Sequence, residues 1–209
     1  SGTNDPPVLA EIVNQETLEE SPLTITLLAT DIDEDDLTFT AESSAPEDVS
    51  VLVVGDNLTM SPSLNFNGSV DITVTVDDGF YTDTTVFVLT VNPVNDTPTI
   101  ALPESFTFEE GDSLAVDFST YLDDTDGDDL TLTVSGNDSI TVNIVGLEVT
   151  LGSAQDWNGT ETLTFTVNDN QGGAASDDID VIVTPVNDAP ILTDIDDQTT
   201  EENSVLIVC

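Results

Sequence analysis

Val91-Asn92-Pro93-Val94-Asn95-Asp96-Thr97-Pro98 returns as Val183-Thr184-Pro185-Val186-Asn187-Asp188-Ala189-Pro190, and a shorter form stands at Asn4-Asp5-Pro6-Pro7. The Asn-Asp pairs are spaced by 91 and 92 residues. An internal period of this length marks tandem copies of one structural unit. Other features keep the same order within each period. A Glu pair follows each junction, as Glu19-Glu20, Glu109-Glu110 and Glu201-Glu202. An acidic cluster comes next, Asp31-Ile32-Asp33-Glu34-Asp35-Asp36-Leu37-Thr38 and then Asp124-Thr125-Asp126-Gly127-Asp128-Asp129-Leu130-Thr131. Asn65-Phe66-Asn67-Gly68 matches Asp156-Trp157-Asn158-Gly159, and Thr75-Val76-Asp77-Asp78-Gly79 matches Thr166-Val167-Asn168-Asp169-Asn170. The expected organisation is one repeat at 1–94, a second at 95–186, and the opening strands of an incomplete third at 187–209.

Between these motifs the apolar period is two, the signature of half-buried strands. Val70, Ile72, Val74 and Val76 alternate with Asp71, Thr73 and Thr75. Leu163, Phe165 and Val167 repeat the pattern; Phe87, Leu89 and Val91 share a face, as do Ile179, Val181 and Val183. Leu23, Ile25 and Leu27 correspond to Leu114, Val116 and Phe118. No stretch carries a sustained helical stripe. About seven short strands per repeat, punctuated by Asn, Asp, Gly and Pro, predict an all-β chain of tandem antiparallel Greek-key β-sandwiches of the cadherin or immunoglobulin kind, set in an elongated rod. Asn67-Gly68 and Asn158-Gly159 read as tight turns. Ser119-Thr120-Tyr121-Leu122 are extra in the second repeat, so the copies differ in one loop.

The charge is the second strong signal. The chain has 43 acidic residues and no Lys, Arg or His, a formal charge of -43. Apart from the amino terminus it supplies no cation, so self-repulsion must be offset from outside. Nucleic acid is excluded as a partner, because phosphate contacts need Lys and Arg. Docking on an anionic membrane is excluded on the same ground. No run approaches the roughly 20 apolar residues of a transmembrane helix, and no direct membrane insertion is expected. The one cysteine, Cys209, permits no internal disulfide and reads as a strand residue of a continuing repeat. Without His, Lys or Arg, nucleophile activation and cationic oxyanion stabilisation are missing, so no enzyme activity is expected.

The carboxylates gather at strand ends and repeat junctions. In an extended segment, D-x-D spacing turns two carboxylates the same way, as for Asp31 with Asp33 and Asp124 with Asp126. A hard divalent cation such as calcium takes six to eight oxygens from carboxylates, Asn side chains and carbonyls. These residues together resemble the cadherin-like repeats, which carry an early Glu, an L-D-R-E turn, a D-x-G, an N-D linker before Pro, and a D-x-D cluster. The closer similarity is to bacterial cadherin-like tandem repeats with V-N-D-x-P junctions, found in large secreted and cell-surface adhesins. The resemblance covers the whole chain.

It implies Ca2+ as cofactor and one complete junction, with Glu20, Asn65, Asn67, Asn95 and Asp96 facing Asp124, Asp126 and Asp169. It also implies two half-junctions: Asn4, Asp5, Asp31, Asp33 and Asp78 on one side, and Glu110, Asp156, Asn158, Asn187 and Asp188 on the other. Asn65, Asn67 and Asn158 stand where the family has acids, and fewer charges lower the expected affinity. The implied role is a calcium-stiffened extracellular spacer or adhesion segment of a cell-surface or secreted protein. Its expected partners are neighbouring repeats of the same or identical chains. The alternative is a homophilic, self-assembling filament or surface-layer subunit, whose partial third repeat is completed by strand addition from a neighbour; a carbohydrate-binding module comes third.

Blander readings stand beside these. The acidity suits a solvated halophilic surface, although that leaves the matched positions unexplained. Asp31, Asp33, Asp35 and Glu42 fall at EF-hand loop positions, but Asp36 replaces the required Gly and Ser135 replaces the Glu in the second copy. Trp157 reads as a core or cap aromatic rather than a sugar platform. Five N-x-S/T sequons, at Asn57, Asn67, Asn95, Asn137 and Asn158, read as compositional.

Overall fold

The computed structural model describes residues 3–190 together with Leu192 and Glu202. In the first copy the strands are β1 (Val8–Leu9), β2 (Gln15–Leu18), β3 (Leu23–Thr26), β4 (Ala29–Thr30), β5 (Thr38–Ser43), β6 (Val49–Val54), β7 (Asn57–Pro62), β8 (Gly68–Asp77) and β9 (Thr82–Asn92). The second copy repeats them as β10 (Thr99–Ile100), β11 (Ser105–Glu109), β12 (Ser113–Asp117), β13 (Leu122–Asp123), β14 (Thr131–Ser135), β15 (Ile140–Val145), β16 (Glu148–Ser153), β17 (Gly159–Asn168) and β18 (Ala174–Thr184).

Each copy is a β-sandwich. Four strands, β2-β9-β8-β5, form one sheet of the first copy and β3-β7-β6 the other; β11-β18-β17-β14 and β12-β16-β15 do the same in the second. The chain leaves β5 for β6 and β7 in the opposite sheet, then returns as β8 beside β5, a Greek-key crossing. One pair in each copy departs from the expected antiparallel arrangement. Strand β2 runs parallel to β9, with Gln15 opposite Leu89, and β11 runs parallel to β18, with Ser105 opposite Asp180. These partners are joined through many intervening strands rather than a hairpin, so no tight turn forces them antiparallel.

The period-two reading locates the core. Val70, Ile72, Val74 and Val76 on β8 are buried against Phe87, Leu89 and Val91 on β9, together with Leu27, Val49, Leu58 and Met60. Leu163, Phe165, Val167, Ile179, Val181 and Val183 are buried at the matching places in the second copy. Outward faces lack ammonium or guanidinium groups and are stitched by short polar side chains instead. Thr75 and Thr84 share a 3.1 Å hydroxyl bond across β8 and β9. Thr162 and Thr164 donate to Asp180 and Asp178 at 2.6 and 2.7 Å across β17 and β18.

The insertion in the second copy is two residues rather than the four expected, since Leu122 opens β13 as Ala29 opens β4. The longer segment forms a 3₁₀ turn, Phe118–Tyr121, whose N-terminal cap is the Asp117 carboxylate accepting from Ser119 N at 2.9 Å. The hydroxyl and backbone N–H of Ser119 hold the Asp117 carboxyl below the usual range. The turn carries Phe118 into the interior, 4.6 Å from the Phe165 ring centroid and 6.1 Å from Phe106. Leu27 fills the equivalent position in the first copy, since both residues take a backbone hydrogen bond from their amide to the same turn, Leu27 to Asp56 and Phe118 to Leu147.

The chain divides into two compact units. One comprises Ser1–Thr99, Asp123–Leu130 and Asn168–Ala175; the other comprises Ile100–Leu122, Thr131–Val167 and Ser176–Cys209. Among the described residues no helix is long and apolar enough to cross a membrane.

Candidate metal centre

The linker residues Asn95 and Asp96 and the two loops 123–130 and 168–175 all belong to the first unit. Asp124 lies just after β13, and the chain then makes a tight turn closed by Gly127 N–H to the Asp124 carbonyl, with Gly127 in the left-handed region. One carboxylate oxygen from each of Asp124, Asp126 and Asp128 lies within 4.8 Å of the others. Asp124 Oδ1 accepts from Asp128 N at 3.0 Å, while Asp124 Oδ2 is buried and has no hydrogen-bond partner among the described residues. Asp126 Oδ2 accepts from the backbone N–H of Asp96 at 2.7 Å.

Asp169 stands beside this cluster and is 1% exposed. Its Oδ2 accepts from Asn95 Nδ2 at 2.8 Å, and its Oδ1 accepts from the amides of Gln171, Gly172 and Gly173 at 2.7, 2.9 and 2.9 Å. The Asn95 amide, followed by these backbone donors, holds the Asp169 carboxyl below the usual carboxylate range despite burial. Asn95 Nδ2 also donates to the Asp96 carbonyl at 3.1 Å, which spends both amide hydrogens and leaves the side-chain oxygen available as a ligand. Asp128 is shifted the other way. Desolvation first, then the charges of Asp124, Asp126, Asp169 and Asp129, raises its carboxyl.

The first copy rebuilds the arrangement around Asn4 and Asp5. Asp31, Asp33 and Asp35 place carboxylate oxygens within 4.8 Å of one another, and Asp31 Oδ2 is likewise buried and unpartnered. Asp5 N donates to Asp33 Oδ2 at 2.8 Å, and Asn4 Nδ2 to Asp78 Oδ2 at 2.9 Å. Asp78 is held low by the amides of Tyr81 and Phe80 and by Asn4, whereas desolvation and the charges of Asp31, Asp33, Asp78 and Asp36 raise Asp35. A cluster of three carboxylates with one inward oxygen unsatisfied, occurring twice in a chain without side-chain cations, is a donor set fitted to a hard cation. Such a cation would lie among Asp124, Asp126, Asp128 and Asn95, or among Asp31, Asp33, Asp35 and Asn4, and would neutralise their repulsion.

The family described as "Bacterial Ig domain" matches residues 4–90 and again 95–182. The chain belongs to the bacterial Ig domain family. No curated protein sequence matches it. Among solved structures it is similar to human protocadherin-24 EC1-2, 14% identical with a TM-score of 0.60 over 85% of this chain and 98% of that one. Human mucin-like protocadherin EC1-2 is 16% identical, with a TM-score of 0.57 over 86% and 98% of the two chains. An endo-fucoidan hydrolase from glycoside hydrolase family 107 is also similar, 21% identical with a TM-score of 0.38; 87% of this chain is covered, which spans 29% of that enzyme. The family match and the protocadherin likenesses establish tandem Ig-like sandwiches that share the cadherin fold. The family matched is the bacterial Ig domain, a broader class than the cadherin-like repeat expected from the motifs.

Within the two Ig domains the expected site residues separate into groups. Asn4, Asp5, Asp31, Asp33 and Asp78 come together in the first, and Asn95, Asp96, Asp124, Asp126 and Asp169 around the linker. Asn67 lines a recess of about 410 Å³ with Pro93, Val94, Asn95, Asp126 and Asp128. Asn65 and Asp156 are exposed turn residues with φ +56°, and among the described residues no hydrogen bond ties their side chains to the linkers. Glu110 accepts from Val186 N at 2.5 Å and from Asn158 Nδ2 at 3.1 Å. Asn187 Nδ2 donates to the Asp188 carbonyl at 3.2 Å, the same local bond that Asn4 and Asn95 make within their linkers. Beyond residue 190 the opening strands of the third repeat lie outside the described residues, except for Leu192 and Glu202.

Three residues join the set that motif reading omitted. Asp35 and Asp128 extend D-x-D to D-x-D-x-D, an alternation visible in the sequence. The third is Glu19, which is 5% exposed and accepts from Val94 N. Glu19 N donates to the Asn92 carbonyl as Glu110 N does to Thr184, so Glu19, not Glu20, is the counterpart of Glu110. Counting back four residues from the matched Leu23 and Leu114 gives this alignment directly. Glu20 instead has φ +57° and matches Gly111 at φ +83°; its side chain still borders the recess shared by Glu19, Val94 and Asp96.

Proposed function

We propose that this chain is a calcium-stiffened segment of extracellular spacer or adhesion repeats, of the V-N-D-x-P cadherin-like kind, in a cell-surface or secreted protein. One observation carries the reading. The linker Asn95-Asp96 is hydrogen-bonded to the same acidic loops that leave Asp124 Oδ2 buried and unpartnered. A divalent ion gathering Asp124, Asp126, Asp128 and the Asn95 oxygen would lock the linker to those loops, with Glu19 and Asp96 close by. Calcium supplies charge neutralisation and oxygen coordination there, and no redox or bond-breaking chemistry is required of it. The protocadherin EC1-2 structures it resembles come from proteins of the cadherin class, and Ig-like and cadherin-like repeats are ordinarily non-catalytic extracellular modules. A neutral Asn67 in place of an acid beside this recess favours affinities of about 10⁻⁴–10⁻³ M, the regime of extracellular modules.

Calorimetric titration with calcium is the direct test. Saturable binding is expected, and Asp124→Ala should remove the linker component while circular dichroism shows the sandwiches intact. A wild-type chain that takes up no calcium at millimolar concentration, or binds sodium equally at matched ionic strength, ends this reading.

A further inference from the structure

The chain contains two Asn-Gly steps, Asn67-Gly68 and Asn158-Gly159, at matched turns before β8 and β17. We propose that Asn67 is a site of spontaneous deamidation, which converts a neutral side chain bordering the linker recess into a carboxylate. The consequence for cation binding rests on the calcium reading above; the chemical conversion does not.

The glycine is demanded by the fold. Gly68 has φ +146°, and a Cβ there would lie 3.4 Å from Phe66 Cζ; Gly159 has φ +153°, and its Cβ would lie 3.2 Å from Trp157 Cζ2. The positive φ is what fixes glycine at both turns, with the close Trp157 ring adding to it at Gly159, and neither places such a demand on the Asn before it. Gly68 carries no side chain to hinder attack by its backbone nitrogen, and as the first residue of β8, opposite Val91, it needs only the frayed end of the ladder to open before that nitrogen is free. After losing its proton to solvent, that nitrogen attacks Asn67 Cγ, the Cγ–Nδ2 bond breaks, and ammonia leaves. Water then opens the resulting succinimide to aspartate or isoaspartate. The net change is Asn plus water to an acid plus ammonia.

The two turns differ where the reaction begins. Asn67 is exposed, lies in neither helix nor strand, and makes no side-chain hydrogen bond among the described residues. Asn158 is tethered, since its Nδ2 donates to Glu110 Oε2 at 3.1 Å. Asn57 is a built-in reference: it lies in β7, donates to Asp56 Oδ1 at 2.9 Å and precedes Leu58, whose side chain hinders attack. Asn67 shares its recess with Asn95, Asp126 and Asp128, so the new carboxylate adds charge where a cation would be held. Greater ligand charge raises calcium affinity.

The test is to hold the purified chain at mildly alkaline pH, digest it with an acid-specific protease, and follow each Asn peptide by mass. The Asn67 peptide should exchange NH₂ for OH several-fold faster than the Asn158 peptide, with Asn57 unchanged. Persistence of the Asn67 amide for as long as that of Asn57, or earlier conversion of Asn158, overturns the proposal. Asn67→Asp, made directly, should bind calcium several-fold more tightly than the fresh chain. Equal or weaker binding removes the proposed consequence. Conversion at Asn67 in a chain that never binds calcium supports the modification and defeats the cation reading alone.

Discussion

At the residue scale, adjacent glutamates have opposite circumstances. Glu19 is buried and satisfies the Val94 amide, while Glu20 occupies a left-handed turn that its partner position gives to Gly111. Replacing Glu19 with Ala leaves a backbone donor without its acceptor, at a cost of about 1–3 kcal/mol. Glu20→Gly relieves the side-chain penalty of the left-handed region, less the extra entropy that Gly loses on folding, and should stabilise by about 0.5–1 kcal/mol. Urea unfolding of the two variants decides this: reversed signs would mean that Glu20 holds the linker instead. Motif matching sees only two consecutive acids. Which one turns inward depends on the β2–β9 register, a contact between residues far apart in sequence.

At the element scale, the copies share their strands and differ in one insertion. The 3₁₀ turn Phe118–Tyr121 exists because Asp117 caps it and because Phe118 finds Phe106 and Phe165 in the interior. Phe118→Ala should cost about 3–5 kcal/mol, the penalty for deleting a buried aromatic ring. Separate melting of the two sandwiches in calorimetry, with only one transition lowered, is the expected result. A uniform shift, or none, would show that the aromatic cluster does not anchor the second copy. The strands themselves were legible from alternation. The parallel β2–β9 and β11–β18 pairs were not, because strand direction depends on where the chain crosses between sheets and leaves no mark on local periodicity.

At the scale of the whole molecule, acid titration should distinguish the calcium-free chain from the calcium-loaded one. Asp78 and Asp169 have folded pKa values below the ordinary range, so they stabilise above their unfolded pKa, and that stability is lost as pH falls through the depressed values. Asp35 and Asp128 have raised folded values, so their charged forms oppose folding at neutral pH and relent as pH falls through those raised values. Without calcium, the Tm should therefore rise on mild acidification, above the usual carboxylate range, and fall below it. With calcium the first limb should vanish, because protons then displace the ion that neutralises the cluster. A rising limb that persists in calcium would place Asp35 and Asp128 outside the cation site. Trypsin should leave the chain uncut in either state, since it holds no Lys or Arg.

The sequence by itself determined the tandem period, the all-β class, the core faces of the long strands and the concentration of acid at the junctions. Each is written in spacing: period two for burial, and 91 and 92 residues for repetition. The tertiary structure decided which oxygens converge. It brought Asp35 and Asp128 into the clusters, left Asp31 Oδ2 and Asp124 Oδ2 without partners among the described residues, buried Glu19 against the Val94 amide beside Glu20 in its left-handed turn, and left Asn65 and Asp156 as turn residues. The physical reason is that coordination depends on distances of a few ångströms between side chains from separate strands. Those distances are fixed by strand register and turn conformation, whereas residue identity fixes only which donors are available.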